Sequence, residues 1–212
     1  MHKLQRGRSP ACLAHYQHGL NIWSDMTPDR KSAIWTELEA MQGQRCAYCE
    51  ADISNDQKHI EHFRQCSRYP QGTFDWNNLF GSCNREDTCG KHKDRCGQYN
   101  PADLIKPDVD DPECFFIFVS DGTIAVRHGL NAQDHHRAAE TLRIFNLDAR
   151  HGPLRSMRQQ AAAGYLKTGE ELWELATEYL PEEWQPLLDS ELVATAHLPF
   201  ATAIKHVLTR QD

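Results

Sequence analysis

Eight cysteines constrain this chain more than any other feature. They stand at positions 12, 46, 49, 66, 83, 89, 96 and 114, most of them clustered in mid-chain. A disulfide framework requires an oxidising compartment, and the opening Met1-His2-Lys3-Leu4-Gln5-Arg6 runs into no apolar stretch of the kind that directs export. The longest apolar run, 114–119, is far too short to span a bilayer. The expectation is a cytoplasmic protein whose clustered cysteines bind metal. Cys46 and Cys49 form a knuckle that lets two thiolates reach one ion, and Cys83 with Cys89 supplies a second pair; Cys66 and Cys96 are alternates for that pair. Four thiolates around a tetrahedral Zn²⁺, with no open position, make a structural site. Such a site supplies folding energy to a segment like 50–60, which is too polar to fold by burial.

A chain of 212 residues suits one large domain or a small core with an appended one. Its net charge of −7 argues against a surface that coats nucleic acid generally. Positive charge concentrated at one site, or substrate binding supplied by a partner, is compatible with that balance. Residues 1–26 show no strong periodicity and, with Arg6 and Arg8, read as an arm that is either a floppy terminus or a partner-docking or nucleic-acid-contacting segment. Thr27-Pro28 then opens a helix with an apolar face at Ile34, Trp35, Leu38 and Met41, closed by Gly43. Residues 27–100 form the expected core. Over 101–212 the sequence predicts two short strands, 114–119 and 123–127, joined at Asp121-Gly122, with Cys114 buried on the first. From Ala132 onward everything reads as helix. Arg137, Arg143, Arg150, Arg155 and Arg158 give the first two helices a basic bias, whereas Glu170, Glu171, Glu174, Glu178, Glu182, Glu183, Asp189 and Glu191 make the next segment acidic and repellent to phosphate.

The chemistry-bearing residues fall between the cysteine pairs. Ile60-Glu61-His62-Phe63 alternates apolar and polar as a short strand does, and its histidine adjoins a carboxylate. Hydrolysis of a phosphodiester needs a base to activate water, a cation to neutralise developing charge, and help for the leaving oxygen. Glu61, His62, Asn78 and His92 can supply these. Asn77 is a neighbouring candidate for the asparagine, and His59, on the same strand face as Glu61, is a further candidate ligand. Arg85, Lys91, Lys93 and Arg95 surround His92 and are expected to gather phosphate-binding charge there.

These blocks, Cys-Ala-Tyr-Cys-Glu (46–50), His-Ile-Glu-His-Phe (59–63), Phe-Asp-Trp-Asn-Asn-Leu-Phe-Gly-Ser-Cys (74–83) and Cys-Gly-Lys-His-Lys-Asp (89–94), together resemble the HNH, or ββα-metal, nucleases. More narrowly they are similar to PtuB-type HNH nucleases, effectors of Septu and retron-associated anti-phage systems. The segments 8–13, 104–108 and 120–124 share that similarity, which thus touches most of residues 1–150. The resemblance implies an α+β fold: a ββα-metal (HNH) finger stabilised by a four-cysteine zinc site, a short β-hairpin and a mostly helical C-terminal region. It implies that His62 is the general base, that Glu61 and His92 hold one divalent ion, Mg²⁺ or Mn²⁺, and that Asn78 orients His62 and fixes the loop. It implies a PtuA-type ATPase as partner, a reverse transcriptase and its RNA–DNA product in retron versions, and DNA or tRNA as substrate. Glu61 stands where Asp is more frequent in the family, and the second cysteine pair is C-x5-C rather than C-x2-C. A competing expectation, a non-catalytic zinc-stabilised protein- or nucleic-acid-binding module, needs only the cysteines.

Overall fold

The computed structural model describes residues 1–55 and 57–210. Helix α1 (Pro28–Gln42) starts with Pro28 in its first turn and stops at Gly43, whose φ of 64° ends it as the sequence predicts. Ile34, Leu38 and Met41 are its buried face. The Cys46–Cys49 knuckle follows. Strands β1 (Lys58–His62) and β2 (Leu79–Cys83) then pair antiparallel, with Glu61 opposite Phe80 and His62 opposite Leu79. The short helix α2 (Cys89–Arg95) follows directly. All five residues of β2 are buried, because α1 lies against it. The Gln42 side chain bridges both backbone groups of Gly81, donating to its carbonyl and accepting from its N–H, each at 2.9 Å. A Cβ on Gly81 would stand 2.6 Å from that amide and 2.8 Å from the Trp35 ring, so the contact requires glycine.

An aromatic cluster ties this unit to the rest. Tyr48, inside the knuckle, stacks on Phe145 at 4.2 Å, and Phe63 lies about equally far from Phe80 and Phe145, at 6.1 and 6.2 Å. Phe145 ends helix α3 (Ala132–Phe145), so the cysteine knuckle, the end of β1 and α3 share one core. Before α3, β3 (Phe116–Phe118) and β4 (Ile124–Val126) form the second antiparallel hairpin. Cys114 is not on that hairpin: it is exposed, in the short turn Pro112–Cys114, because Asp111-Pro112 bends the chain before the strand begins. The C-terminal part is helical as expected: α4 (Leu154–Ala163), α5 (Leu166–Glu178), α6 (Pro181–Thr195) and α7 (Ala201–Leu208). Leu172, Ile204 and Leu208 centre a small second core there. Among the described residues no helix is long and apolar enough to cross a membrane.

Residues 1–26 are not a free arm. Met1, Leu4, Leu13 and Met26 are buried in the main core, and the Leu4 N–H donates to the Pro107 carbonyl at 2.8 Å. Arg6 runs beneath the loop before β2: its guanidinium pairs with Asp108 at 2.6 Å, donates to the carbonyls of Trp76 and Leu79, and lies 4.5 Å from the centre of the Phe80 ring. Trp76 returns the contact through its indole N–H to the Gly7 carbonyl. The anticipated basic bias of α3 and α4 is also largely internal. Arg137 pairs with Asp110, Arg143 with Glu140 and Arg155 with Asp148, and Arg158 is fully buried, donating to the carbonyls of Gly122 and Leu147.

Arg6 and Asp108 are both nearly excluded from solvent; without Arg6, Asp108 keeps only the Lys106 ammonium at 2.8 Å, and the Trp76 and Leu79 carbonyls lose their guanidinium donor. Arg6→Met is expected to lower the unfolding free energy by about 3 kcal/mol, read from urea denaturation with zinc present. A loss under about 0.5 kcal/mol, the ordinary range for a surface substitution, would return this segment to the status of an arm.

Candidate metal centre and active strand

Four sulfurs meet at the junction of the knuckle, β2 and α2. Sγ of Cys46, Cys49, Cys83 and Cys89 lie within 4.8 Å of one another, all four residues buried, with Cys49 and Cys83 at 3.9 Å. Zn–S bonds of about 2.3 Å in a tetrahedron put sulfurs about 3.8 Å apart, so the donor set and its size fit Zn²⁺. The alternates lie elsewhere: Cys96 ends α2 with its sulfur 3.6 Å from the Ile144 carbonyl, and Cys66 sits in the β1–β2 loop beside Thr73. Cys89 adopts a left-handed backbone, φ 54°, a conformation unfavourable for an L-residue. Its sulfur joins the cluster from that position.

Glu61 points from β1 onto α2 and is 2% exposed. Its neighbours there are Gly90, where any Cβ would collide with the carboxylate, and Lys93, whose Nζ stands 2.7 Å from Oε1. Residues 90 and 93 share a face of the helix because they are three apart. Lys93 is fully buried; its ammonium also donates to the His62 carbonyl at 2.9 Å and to Asp94 Oδ1 at 2.8 Å. Burial alone would raise the Glu61 carboxyl, but His59 and the Lys93 ammonium outweigh it and hold the group below the usual carboxylate range.

The other Glu61 oxygen, Oε2, faces His59 Nε2 at 3.0 Å. The opposite nitrogen, His59 Nδ1, lies 2.9 Å from Asn84 Oδ1, and the Asn84 amide nitrogen donates to the Lys58 carbonyl. Oδ1 is therefore an acceptor, Nδ1 carries hydrogen, and Nε2 of a neutral ring presents a lone pair. Two acceptors at 3.0 Å need a cation between them, a proton or a metal ion. Cis ligands at about 2.1 Å from an octahedral ion also sit about 3 Å apart, so the pair fits a divalent ion.

His62 faces the other way. Its Nε2 lies 3.0 Å from the Thr73 carbonyl, an acceptor, so Nε2 is the protonated nitrogen and Nδ1 holds the free lone pair. Trp23 packs against the ring edge-on at 4.5 Å. Burial pushes the imidazole below its ordinary value, which keeps it neutral near pH 7, although the Thr73 contact works in the opposite sense. Asn78 clamps the loop that carries Thr73: it accepts from the Arg64 N–H at 2.7 Å and donates to the carbonyls of Arg64 and Gly72 at 3.1 and 3.0 Å. It thus reaches His62 through Gly72 and Thr73 rather than by touching the ring. Asn77 is exposed and bonds only to Asp75 in the same turn.

His92 does not meet Glu61. Its Nδ1 lies 2.9 Å from the Ile144 carbonyl, on the face of α2 that packs against α3. It follows Gly90 by two residues, about 200° around the helix, and so cannot share the Glu61 face. The cations near it are mostly engaged too: Lys93 with Glu61, Arg95 with Glu86, and Arg85 against the Met157 sulfur. Two contributors escaped the sequence reading. Lys93 reads in the sequence as one of the phosphate-binding cations rather than as the partner of Glu61, and Thr73 acts through a backbone carbonyl that no side-chain pattern marks.

No protein-family model matches the chain. A Vibrio cholerae serotype O1 biovar El Tor protein, by its name an HNH endonuclease of retron Vc95, is 27% identical over 134 residues, covering 61% of this chain and 64% of that protein. The Septu protein PtuB of Bacillus thuringiensis is 30% identical over 120 residues, covering 51% of this chain and 43% of PtuB. The matches thus span less than two thirds of either relative. They bear out the resemblance: over part of its length the chain is similar to a Septu PtuB protein and to a retron HNH protein.

The cluster geometry makes a specific statement about stoichiometry. Cys46→Ser is expected to abolish zinc retention and cooperative unfolding, while Cys66→Ser and Cys96→Ser keep one zinc per chain, measured by elemental analysis of the purified proteins. Loss of zinc in Cys96→Ser with retention in Cys89→Ser would reverse the assignment.

Proposed function

We propose that the protein is a metal-dependent HNH endonuclease hydrolysing nucleic-acid phosphodiester bonds, a cytoplasmic effector of an anti-phage defence system controlled by a partner ATPase. The observation that carries this reading is the state the fold imposes on its active strand. His62 is held through Nε2 against the Thr73 carbonyl, which leaves Nδ1 free, and one residue away Glu61 Oε2 and His59 Nε2 stand 3.0 Å apart, where a proton or a divalent ion can bridge them. A zinc-stabilised binding module would need neither arrangement.

In this reading His62 Nδ1 takes a proton from the attacking water as its oxygen bonds to phosphorus. The Thr73 carbonyl holds the ring during that transfer and stabilises the imidazolium that forms, while Asn78 keeps the Thr73 loop in place. Glu61 Oε2 and His59 Nε2 would hold the divalent ion, Mg²⁺ or Mn²⁺, which when bound supplies positive charge to the phosphate and the departing 3′ oxygen. Lys93 occupies Oε1 and fixes the main chain of His62 through its carbonyl. His92 takes a packing role between α2 and α3. The four cysteines hold Zn²⁺ and close the scaffold.

Cleavage of DNA and of tRNA-like RNA with Mn²⁺, in the presence of the partner, tests the assignment. His62→Ala is expected to lose about 10²–10⁴-fold in rate while keeping its zinc. Wild-type cleavage by that variant would refute the role of His62.

A PtuA-type ATPase is the proposed partner, joined in a retron setting by a reverse transcriptase and its RNA–DNA product. The names of the two relatives support this, and the sequence carries no G-x-x-x-x-G-K-[ST] phosphate loop of its own. The α5–α6 hairpin is the face offered to the ATPase: Tyr179, Leu180, Leu187 and Val193 are exposed there among Glu178, Glu182, Glu183 and Asp189. Replacing Leu180 and Leu187 together by Ser should abolish co-purification of the ATPase without altering the circular dichroism spectrum. Undiminished co-purification removes this face from the interface.

A further inference from the structure

Beside His62 the surface opens into a cleft of about 460 Å³, within the roughly 300–1,000 Å³ range of ligand sites. Leu20, Ile22 and Trp23 line one side, and Cys66, Pro70 and Thr73 the other. Leu20 is 78% exposed and Ile22 65%, far more than isolated leucines and isoleucines in a packed loop need be. Two of the lining residues already touch the proposed base: Trp23 packs against the His62 ring and Thr73 accepts its Nε2 hydrogen. The cleft therefore borders the two residues that hold the proposed base.

Its surroundings are aromatic and cationic. Tyr16 stacks on Phe74 at 5.1 Å, and Phe74 lies 6.2 Å from Trp23. Arg30 stands 5.0 Å over Tyr16 and Lys31 5.9 Å over Trp23. Arg64 and the loop residue Arg68 are exposed beyond the opposite wall. Among the described residues no carboxylate pairs with Arg30, Lys31, Arg64 or Arg68. Asp25, the carboxylate next to Trp23, accepts the Ile22 N–H at 2.8 Å and thereby shapes the exposed turn.

We infer that this cleft receives an unstacked nucleobase adjoining the scissile phosphate, so that the substrate is single-stranded or looped nucleic acid rather than continuous duplex. Apolar and aromatic side chains flanked by cations without carboxylates are what a strand with splayed bases requires: flat faces for bases and positive charge for the backbone between them. A base inside a duplex stack cannot enter a cleft without unpairing, which disfavours duplex at this site. Nothing in the cleft distinguishes ribose from deoxyribose, so the same face takes DNA or RNA. The inference deepens the nuclease reading and rests on it for the position of the phosphate.

Binding by the full-length His62→Ala protein tests it, using fluorescent single-stranded DNA, single-stranded RNA and blunt duplex DNA of one length, followed by anisotropy. At least one single strand should bind roughly tenfold or more tighter than the duplex, and the two single-stranded arms tell which sugar is preferred. Leu20→Ser combined with Ile22→Ser, both exposed and harmless to folding, should weaken single-strand binding about tenfold; Leu187→Ser, on the far α6 surface, should not. A 2-aminopurine placed beside the cleavage position should be quenched by His62→Ala and not by the triple variant that also carries the two serines. Equal binding of duplex and single strands, or unchanged single-strand binding by the triple variant, overturns the inference. Cleavage by His62→Ala would instead refute His62 as the base while leaving these binding results standing.

Discussion

The cluster of four cysteine sulfurs sets how helix α2 meets strand β1. It joins three pieces of backbone, the 46–49 knuckle, the end of β2 and the first residue of α2. Helix α2 has only seven residues and no side-chain cap at Thr88, so its own hydrogen bonds would hold it poorly. Anchored at Cys89, it has one rotation. That rotation aims Gly90 and Lys93 at β1 and His92 at α3, and it lets the Lys93 ammonium connect the cysteine-anchored helix to the Glu61 carboxylate and the His62 carbonyl. The scaffold and the proposed chemistry are thus coupled through one buried lysine, one helical turn from the cluster.

This explains which parts of the site were legible in the sequence. The cysteine set was, because two ligands two residues apart converge whatever the rest of the chain does, and Cys83 and Cys89 flank the short turn between β2 and α2. The strand positions of Glu61 and His62 were, because alternation with Ile60 and Phe63 has a period of two. The partner of Glu61 was not. A motif places histidine near the start of a helix but says nothing about its rotation, and a one-residue offset turns a side chain by about 100°. Gly90 occupies the facing position and offers no ligand, so the candidate passes to His59, which shares the strand face with Glu61.

The fold shows the same division. Helices α1 and α3 to α7 follow from apolar spacing and turn residues, and α6 keeps its fifteen residues with Pro186 inside it. Residues 1–26 defeated pattern reading for a different reason. They are mostly irregular, with short turns at Ala11–His15 and Trp23–Asp25, and irregular backbone has no period with which to mark Met1, Leu4, Leu13 and Met26 as buried. Their place in the core is visible only when Arg6 and Gly7 are seen beneath the loop that leads into β2.

Charge followed a rule that formal counting hides. The sum of −7 describes the whole surface, but phosphate responds to charges that remain free after internal pairing. The arginines of α3 and α4 and the lysine beside His92 are mostly consumed by carboxylates, so the basic stretches conspicuous in the sequence contribute little. Arg30, Lys31, Arg64 and Arg68 are scattered in sequence and draw no notice there, yet they are exposed or half-buried without carboxylates and flank the cleft beside His62. The glutamates of α5 and α6 stand on a separate helical hairpin with its own small core. An acidic protein can therefore keep one face suited to a nucleic-acid strand and another suited to a protein, because pairing within the fold, rather than composition, decides which charges the surface presents.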